Sequence, residues 1–276
     1  MHYKLTFLIF SFLITATSIH AAELCGKLQQ GEILVGKSSA AQNITFNQAN
    51  ISPDSDGLFL LAMGRDEKSQ NNLYITNKQT TTEHSLSIAA TAWDIQNIKG
   101  IPPRKVTPSD SDLRDIEFEQ KLVRAAQQNE TFTPYWQQGF IMPVNGRTSG
   151  TFGGQRIMNG VKKNPHSGMD IAAPEGTPIL ASGNGIVTLS QKDLFYSGNV
   201  IIIDHGYGLH TIYAHLKDIK VKQGDIIKQG DIIGTVGQTG RATGPHLHWG
   251  ASVHGIKFNP PSLLNINNFN NFCFTI

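Results

Sequence analysis

Between residues 31 and 93, short apolar runs alternate with turn residues: EILVGK, NITFNQANI, GLFLLAMGR, NLYITNK and HSLSIAATAW. Runs of this length, rich in β-branched and aromatic residues and bounded by Gly, Asn and Asp, predict strands. SPDSDG at 52–57 predicts a turn, because Asp and Ser side chains bond their own backbone and Gly accepts left-handed φ. The repeated rhythm predicts a small β-sandwich over 23–100. IPPRKVTPSD at 101–110 carries three prolines and opens a linker over 101–135. Ser109 or Asp110 can cap a helix running to about Gln128, with Leu113, Ile116, Leu122 and Val123 near one face. From Phe140 onward glycine becomes frequent and β-like runs return: GIVTLS, NVIIIDHG, HTIYAHL and DIIGTVG. VKQGDIIKQGDIIG at 221–234 nearly repeats every six residues, a Gly-Asp turn followed by an apolar pair. These runs predict a compact antiparallel β domain over 136–276, ending in an Asn- and Phe-rich tail. The fold class is mainly β: a sandwich, a linker helix and an antiparallel domain.

The first segment, MHYKLTFLIFSFLITATSIHAAEL, follows a different pattern. Lys4 precedes an apolar run from Leu5 to about Ile19, and the small residues Ala21 and Ala22 come next. This reads as a secretory signal peptide over 1–22, cleaved after Ala21 or Ala22. The run is short for a membrane span, so the mature chain is expected to be exported, soluble and without a membrane anchor. Composition adds only exclusions. A net charge of +2 with 16% charged residues gives no electrostatic case for nucleic acid or for charge-driven membrane binding. The two cysteines, Cys25 and Cys273, lie near the two ends of the mature chain. In an oxidising compartment they could pair and tie those ends together.

The candidate chemistry lies in the histidines. Of ten, seven fall between 166 and 254. In HSGMD, His166 and Asp170 are four apart. Gly168 and the following Pro174 argue against a helix, and in an extended segment residues four apart share a side, so both can reach one ion. In HLH, His246 and His248 project to one face of a strand while Leu247 points to the other. A catalytic zinc site commonly has three protein ligands and an open position. His166, Asp170 and one histidine of the pair supply that count, leaving the other for proton transfer or hydrogen bonding. In YAHL, Tyr213 and His215 are expected on one face, with Ala214 and Leu216 on the other. His205 in DHGYG reads as a turn residue, His210 as solvent-exposed and His254 as a loop residue without a partner. Arg241 and Thr243, on the approach to HLH, could line a groove.

The order HxxxD, YAHL and GPHLH within one small β domain is far more specific than any of its parts. The segment from about Trp136 to Pro260 resembles the LytM/lysostaphin-like family of zinc metallopeptidases, which cut peptidoglycan peptides. The resemblance is carried by SGTFGGQR, HSGMDIAAPEGTPILASGNGIV, GNVIIIDHGYGLHTIYAHL and VKQGDIIKQGDIIGTVGQTGRATGPHLHWG. It implies one zinc per chain held by His166, Asp170 and His248. It also implies that His215 and His246 act on the attacking water and the developing oxyanion, with neither role assigned to one of them. In some relatives an upstream asparagine blocks the zinc, which makes Asn159 a residue to locate. A signal peptide and a disulfide suit the periplasm of a Gram-negative cell, where the target would be a D-alanyl to diaminopimelate bond. Two rivals carry less weight. A non-catalytic regulator of another wall hydrolase typically loses metal ligands, and a biotinyl or lipoyl carrier would need an exposed attachment lysine in a hairpin.

Overall fold

The computed structural model describes residues 22–38, 43–78, 80–266 and 273–276. Apart from Ala22, the expected signal peptide lies outside the described residues. The chain is mainly β, as its pattern of short apolar runs predicts.

The N-terminal sandwich has two antiparallel four-stranded sheets. One runs Cys273–Thr275, Glu23–Cys25, Ile33–Lys37, Leu58–Ala62; the other runs Ala49–Ile51, Asn43–Phe46, Gln70–Thr76, Thr81–Ser87. Leu24, Leu34, Leu61, Ile44 and Leu73 fill the space between them. Strands Ile33–Lys37 and Leu58–Ala62 read as continuous apolar runs because both their faces are covered. Ile33, Val35, Leu60 and Ala62 point away from the sandwich into a second core, shared with Trp249 and Phe258 of the C-terminal domain. The predicted turn at 52–57 forms as its chemistry requires, Asp54 Oδ1 accepting from the N–H groups of Asp56 (2.9 Å) and Leu58 (2.8 Å).

The last strand of the chain returns to the first. Cys273–Thr275 pairs with Glu23–Cys25, Cys25 opposite Cys273, and a disulfide joins them across a sequence separation of 248. Closing so long a loop restricts the unfolded chain strongly. Loss of the bond by Cys273→Ser should cost about 2–5 kcal/mol. The check is a lower thermal midpoint in the variant, reproduced in the native chain by a reductant and not lowered further by reductant in the variant.

The linker helix spans Asp110–Gln128. Ser109 caps it: its hydroxyl accepts the Asp112 N–H while the Asp112 carboxylate accepts the Ser109 N–H. Arg104 also binds that carboxylate. The buried face differs from the expected one. Ile116 and Ala126 are buried, and Val123 and Ala126 pack on Leu189, Leu194, Val200, Ile202 and Ala214, while Leu113 stays 51% exposed. Leu113 lies beyond this contact, at the rim of a groove described below.

The C-terminal domain is built on a ten-stranded sheet, while its strands Gln155–Met158 and Val161–Lys162 form a separate three-stranded sheet with Ile95–Ile98. The main path of the ten-stranded sheet runs Ile226–Ile227, Gly185–Leu194, Gly198–Asp204, Leu209–Ile219, His246–Val253, Gly168–Ala172, Arg147–Gly150. Ile171, Ile201, Tyr213, Leu247 and Trp249 face the main core. Each Gly-Asp turn of the six-residue repeat closes alike: Asp225 and Asp231 accept from the N–H groups of Lys222 and Lys228. Among the described residues, no helix is long and apolar enough to cross a membrane.

Candidate metal centre

Three neighbouring strands and one loop build the site. In His246–Val253 the two-residue period holds: Leu247 and Trp249 enter the core, while His246 and His248 face the other way. Asp170 sits opposite His248 in the adjacent strand, at a break in the register with strand Arg147–Gly150. His166 comes from the loop before strand Gly168–Ala172. That loop is pinned by hydrogen bonds from the Gly153 N–H to the His166 carbonyl and from the His166 N–H to the Gly154 carbonyl.

His166, Asp170 and His248 converge. His166 Nε2 lies 3.0 Å from Asp170 Oδ1 and 3.0 Å from His248 Nδ1, which is 2.9 Å from the same carboxylate oxygen. A tetrahedral ion with bonds of 2.0–2.1 Å sets its ligands about 3.3 Å apart. Two imidazole nitrogens and one carboxylate oxygen at this spacing, on a buried histidine and a buried aspartate with a half-buried second histidine, fit one borderline divalent cation. The His166 Nδ1 lies 2.8 Å from the Thr151 carbonyl. A carbonyl only accepts, so Nδ1 carries the proton and Nε2 offers its lone pair to the centre.

The electrostatics point the same way. Burial raises the Asp170 pKa, but the contacts with the His166 and His248 imidazoles outweigh it and hold the carboxyl well below the usual range. Burial pushes His248 down to about 4, against the attraction of Asp170. Arg156 binds the second carboxylate oxygen of Asp170, holding an oxygen that the histidines leave free.

His215 and His246 stand beside the cluster, their ring centroids 4.8 Å apart. His246 Nε2 is 3.9 Å from Asp170 Oδ1, a step further out than His166 or His248. Each ring fixes its Nδ1–H on a carbonyl at 2.8 Å, Thr239 for His215 and Gly244 for His246. Both therefore present a bare Nε2 when neutral. Burial, with the neighbouring His246 and His248, lowers His215 to about 3.

His215 reaches the centre by a route that alternation does not give. Tyr213 is buried in the main core, its hydroxyl bonded to Ser182 and Thr211. Strict alternation would send His215 there too. Instead His215 takes φ 66°, and the register with the next strand slips between Asn199 and Ile201. This irregularity turns the imidazole onto the face of His248, so the expectation that Tyr213 and His215 share a face is corrected.

Other expectations change as well. His205 and His210 are both fully buried. His205 Nδ1 donates to the Asn184 carbonyl, with Nε2 on the Thr211 hydroxyl. His210 reaches the Asn129 carbonyl, because the end of the linker helix covers the face that alternation would leave in solvent. Neither belongs to the cluster. Asn159 bonds the backbone of Ile101 through both ends of its amide, so it braces the linker.

Sequence reasoning missed two glycines. A Cβ on Gly150 would stand 2.7 Å from Asp170 Oδ2, and one on Gly168 2.8 Å from His248 Nε2. It also missed Arg156, which sits in the SGTFGGQR stretch without a feature to mark its role. The carbonyl partners of the rings are backbone atoms and leave no trace in residue type.

Residues 164–260 match the profile of peptidase family M23. The chain carries a peptidase family M23 domain. The M23 domain is 41% identical over 121 residues to the peptidoglycan DD-endopeptidase ShyA of Vibrio cholerae, covering 42% of this chain and 28% of that protein. It is 46% identical over 98 residues to the DD-carboxypeptidase/endopeptidase Mpg of Neisseria meningitidis, covering 36% of this chain and 22% of that protein. The chain thus spans about a quarter of the length of these curated relatives. A crystal structure of an M23 peptidase from Pseudomonas aeruginosa superposes with a TM-score of 0.69 at 26% identity, over 87% of this chain and 96% of that one.

Proposed function

We propose that this chain is an exported zinc metalloendopeptidase that hydrolyses peptide bonds in peptidoglycan, acting in the periplasm on the D-alanyl to diaminopimelate bond. The observation that carries the reading is the convergence of His166, Asp170 and His248 donor atoms within 4.8 Å of one another, with two further imidazoles alongside. The names of the relatives, DD-endopeptidases among them, support the substrate class. The Cys25–Cys273 disulfide supports an oxidising compartment.

His166, Asp170 and His248 would hold the zinc. When bound, it supplies Lewis acidity that polarises a carbonyl and brings the pKa of water toward neutrality. The chain's own residues handle the protons. His215 and His246 both offer a bare Nε2, and either can take the proton of the attacking water as the new C–O bond forms. The imidazole that has taken it becomes a donor, first toward the developing oxyanion and then to the leaving nitrogen as the C–N bond breaks. Arg156 holds the Asp170 carboxylate in its orientation throughout.

A chelator should remove the metal and stop release of peptides from purified peptidoglycan, and added zinc should restore it. Mass spectrometry of the digested muropeptides identifies the bond. A zinc-loaded chain that releases nothing would turn the reading toward a regulator of another hydrolase.

A further inference from the structure

A groove of about 700 Å³ opens from the metal centre toward the linker helix. His166, His215 and His248 form one end, and Leu113, Ile116 and Gln120 of the helix line the far wall. Five cations face it: Arg156, Lys162, Lys163, Arg241 and Lys257. No aspartate or glutamate is among its lining residues.

Arg241 is the cation that stands out. The hydrogen bond from its N–H to the Tyr196 carbonyl fixes its backbone, and its guanidinium lies 4.2 Å over the Tyr196 ring. It is half-buried, and among the described residues no carboxylate pairs with it. Burial lowers its pKa, and repulsion from Arg156 adds to that. The nearby acids are engaged elsewhere: Asp112 with Arg104 and Ser109, Glu119 with the Phe195 N–H. Arg156 already serves Asp170. A desolvated guanidinium without a counter-charge costs free energy, and its planar fork matches a carboxylate.

We propose that this groove is a carboxylate-recognition subsite, in which Arg241 grips a free carboxylate on the substrate residue beside the scissile bond while Lys162, Lys163 and Lys257 supply the surrounding positive field. The inference rests on the peptidase reading and adds a specificity to it. The groove shares three histidines with the metal centre, so a carboxylate held by Arg241 sits within a residue or two of the bond being cut. The tyrosine stack restricts the guanidinium, so little side-chain freedom remains to be lost on binding.

The test compares two cross-linked peptides that differ only in whether that carboxylate is free or amidated. Binding to the zinc-loaded full chain is measured by calorimetry and cleavage by chromatography. The native chain should bind the free acid at least about tenfold more tightly than the amide, the range of a charge-assisted hydrogen bond. The preference should shrink as salt is raised. Arg241→Gln should bring acid and amide level, and Arg241→Lys should keep part of the difference, which guards against a folding defect as the cause. Equal binding of the two peptides by the native chain, or an undiminished preference in Arg241→Gln, would overturn the subsite. If neither peptide is cleaved the peptidase reading fails, while the calorimetric preference still decides the subsite.

Discussion

Replacing His246 by alanine should abolish cleavage and leave the zinc in place, whereas His248→Ala should lose both. The two residues are one apart from adjacency and share a strand face, so their chemistry is separated only by distance. His248 Nδ1 is within 3.0 Å of both His166 Nε2 and Asp170 Oδ1. His246 Nε2 stands 3.9 Å from that oxygen, and its ring faces His215. Removing a proton-transfer group typically costs about 10²–10⁴ in rate. Removing a ligand should weaken zinc by more than the roughly 10–100-fold that loss of an outer partner costs. Metal content measured on the purified variants, beside peptide release from peptidoglycan, separates the two. A His246→Ala chain that arrives without zinc, with His248→Ala retaining it, would exchange the assigned roles. His215 calls for asparagine in the same experiment, since its φ of 66° is one that asparagine adopts more readily than alanine.

The ease with which the sequence disclosed parts of this site follows the regularity of the backbone. Strand His246–Val253 is regular, so a period of two placed both histidines on one face with Leu247 in the core. The four-residue spacing in HSGMD survives because the segment is extended. His215 defeated the same arithmetic: one left-handed residue breaks the alternation, and nothing in YAHL marks it. His210 failed for a tertiary reason, since the end of the linker helix lies over it. The helix itself was legible from its Ser109 cap, but its packing face was not, because Leu113 and Ile116 line the groove while Val123 and Ala126 meet the sheet. The disulfide could be anticipated from two cysteines at the chain ends. That Cys273–Thr275 would join the first sheet could not, because three residues carry no periodicity.

Gly168→Ala should abolish the proposed cleavage and Gly250→Ala should not, although the two glycines face each other across the same strand pair. A Cβ on Gly168 would stand 2.4 Å from the Trp249 carbonyl oxygen and 2.8 Å from the edge of the His248 ring. The carbonyl cannot retreat, because the Trp249 side chain is fully buried in the main core. The methyl must therefore displace the His248 ring or part the two strands, and strain of this kind costs about 1–3 kcal/mol. A misplacement of about 1 Å at a reacting centre can cost on the order of 10²-fold in rate. Zinc should weaken with it, since the displaced ring is a proposed ligand. On Gly250 the nearest atoms to a Cβ, Ile212 Cβ and the Ser167 carbonyl oxygen, lie at 3.6 Å, an ordinary contact. That variant should keep its zinc, and its cleavage rate should stay within about twofold of the native chain, a change well under 1 kcal/mol. Equal impairment of the two variants would show that any side chain at this strand pair is harmful, and the argument from the His248 ring would fall. With the expected contrast, the glycine in HSGMD is there because the His248 ring rests against its bare α-carbon, a requirement separate from its poor fit to a helix.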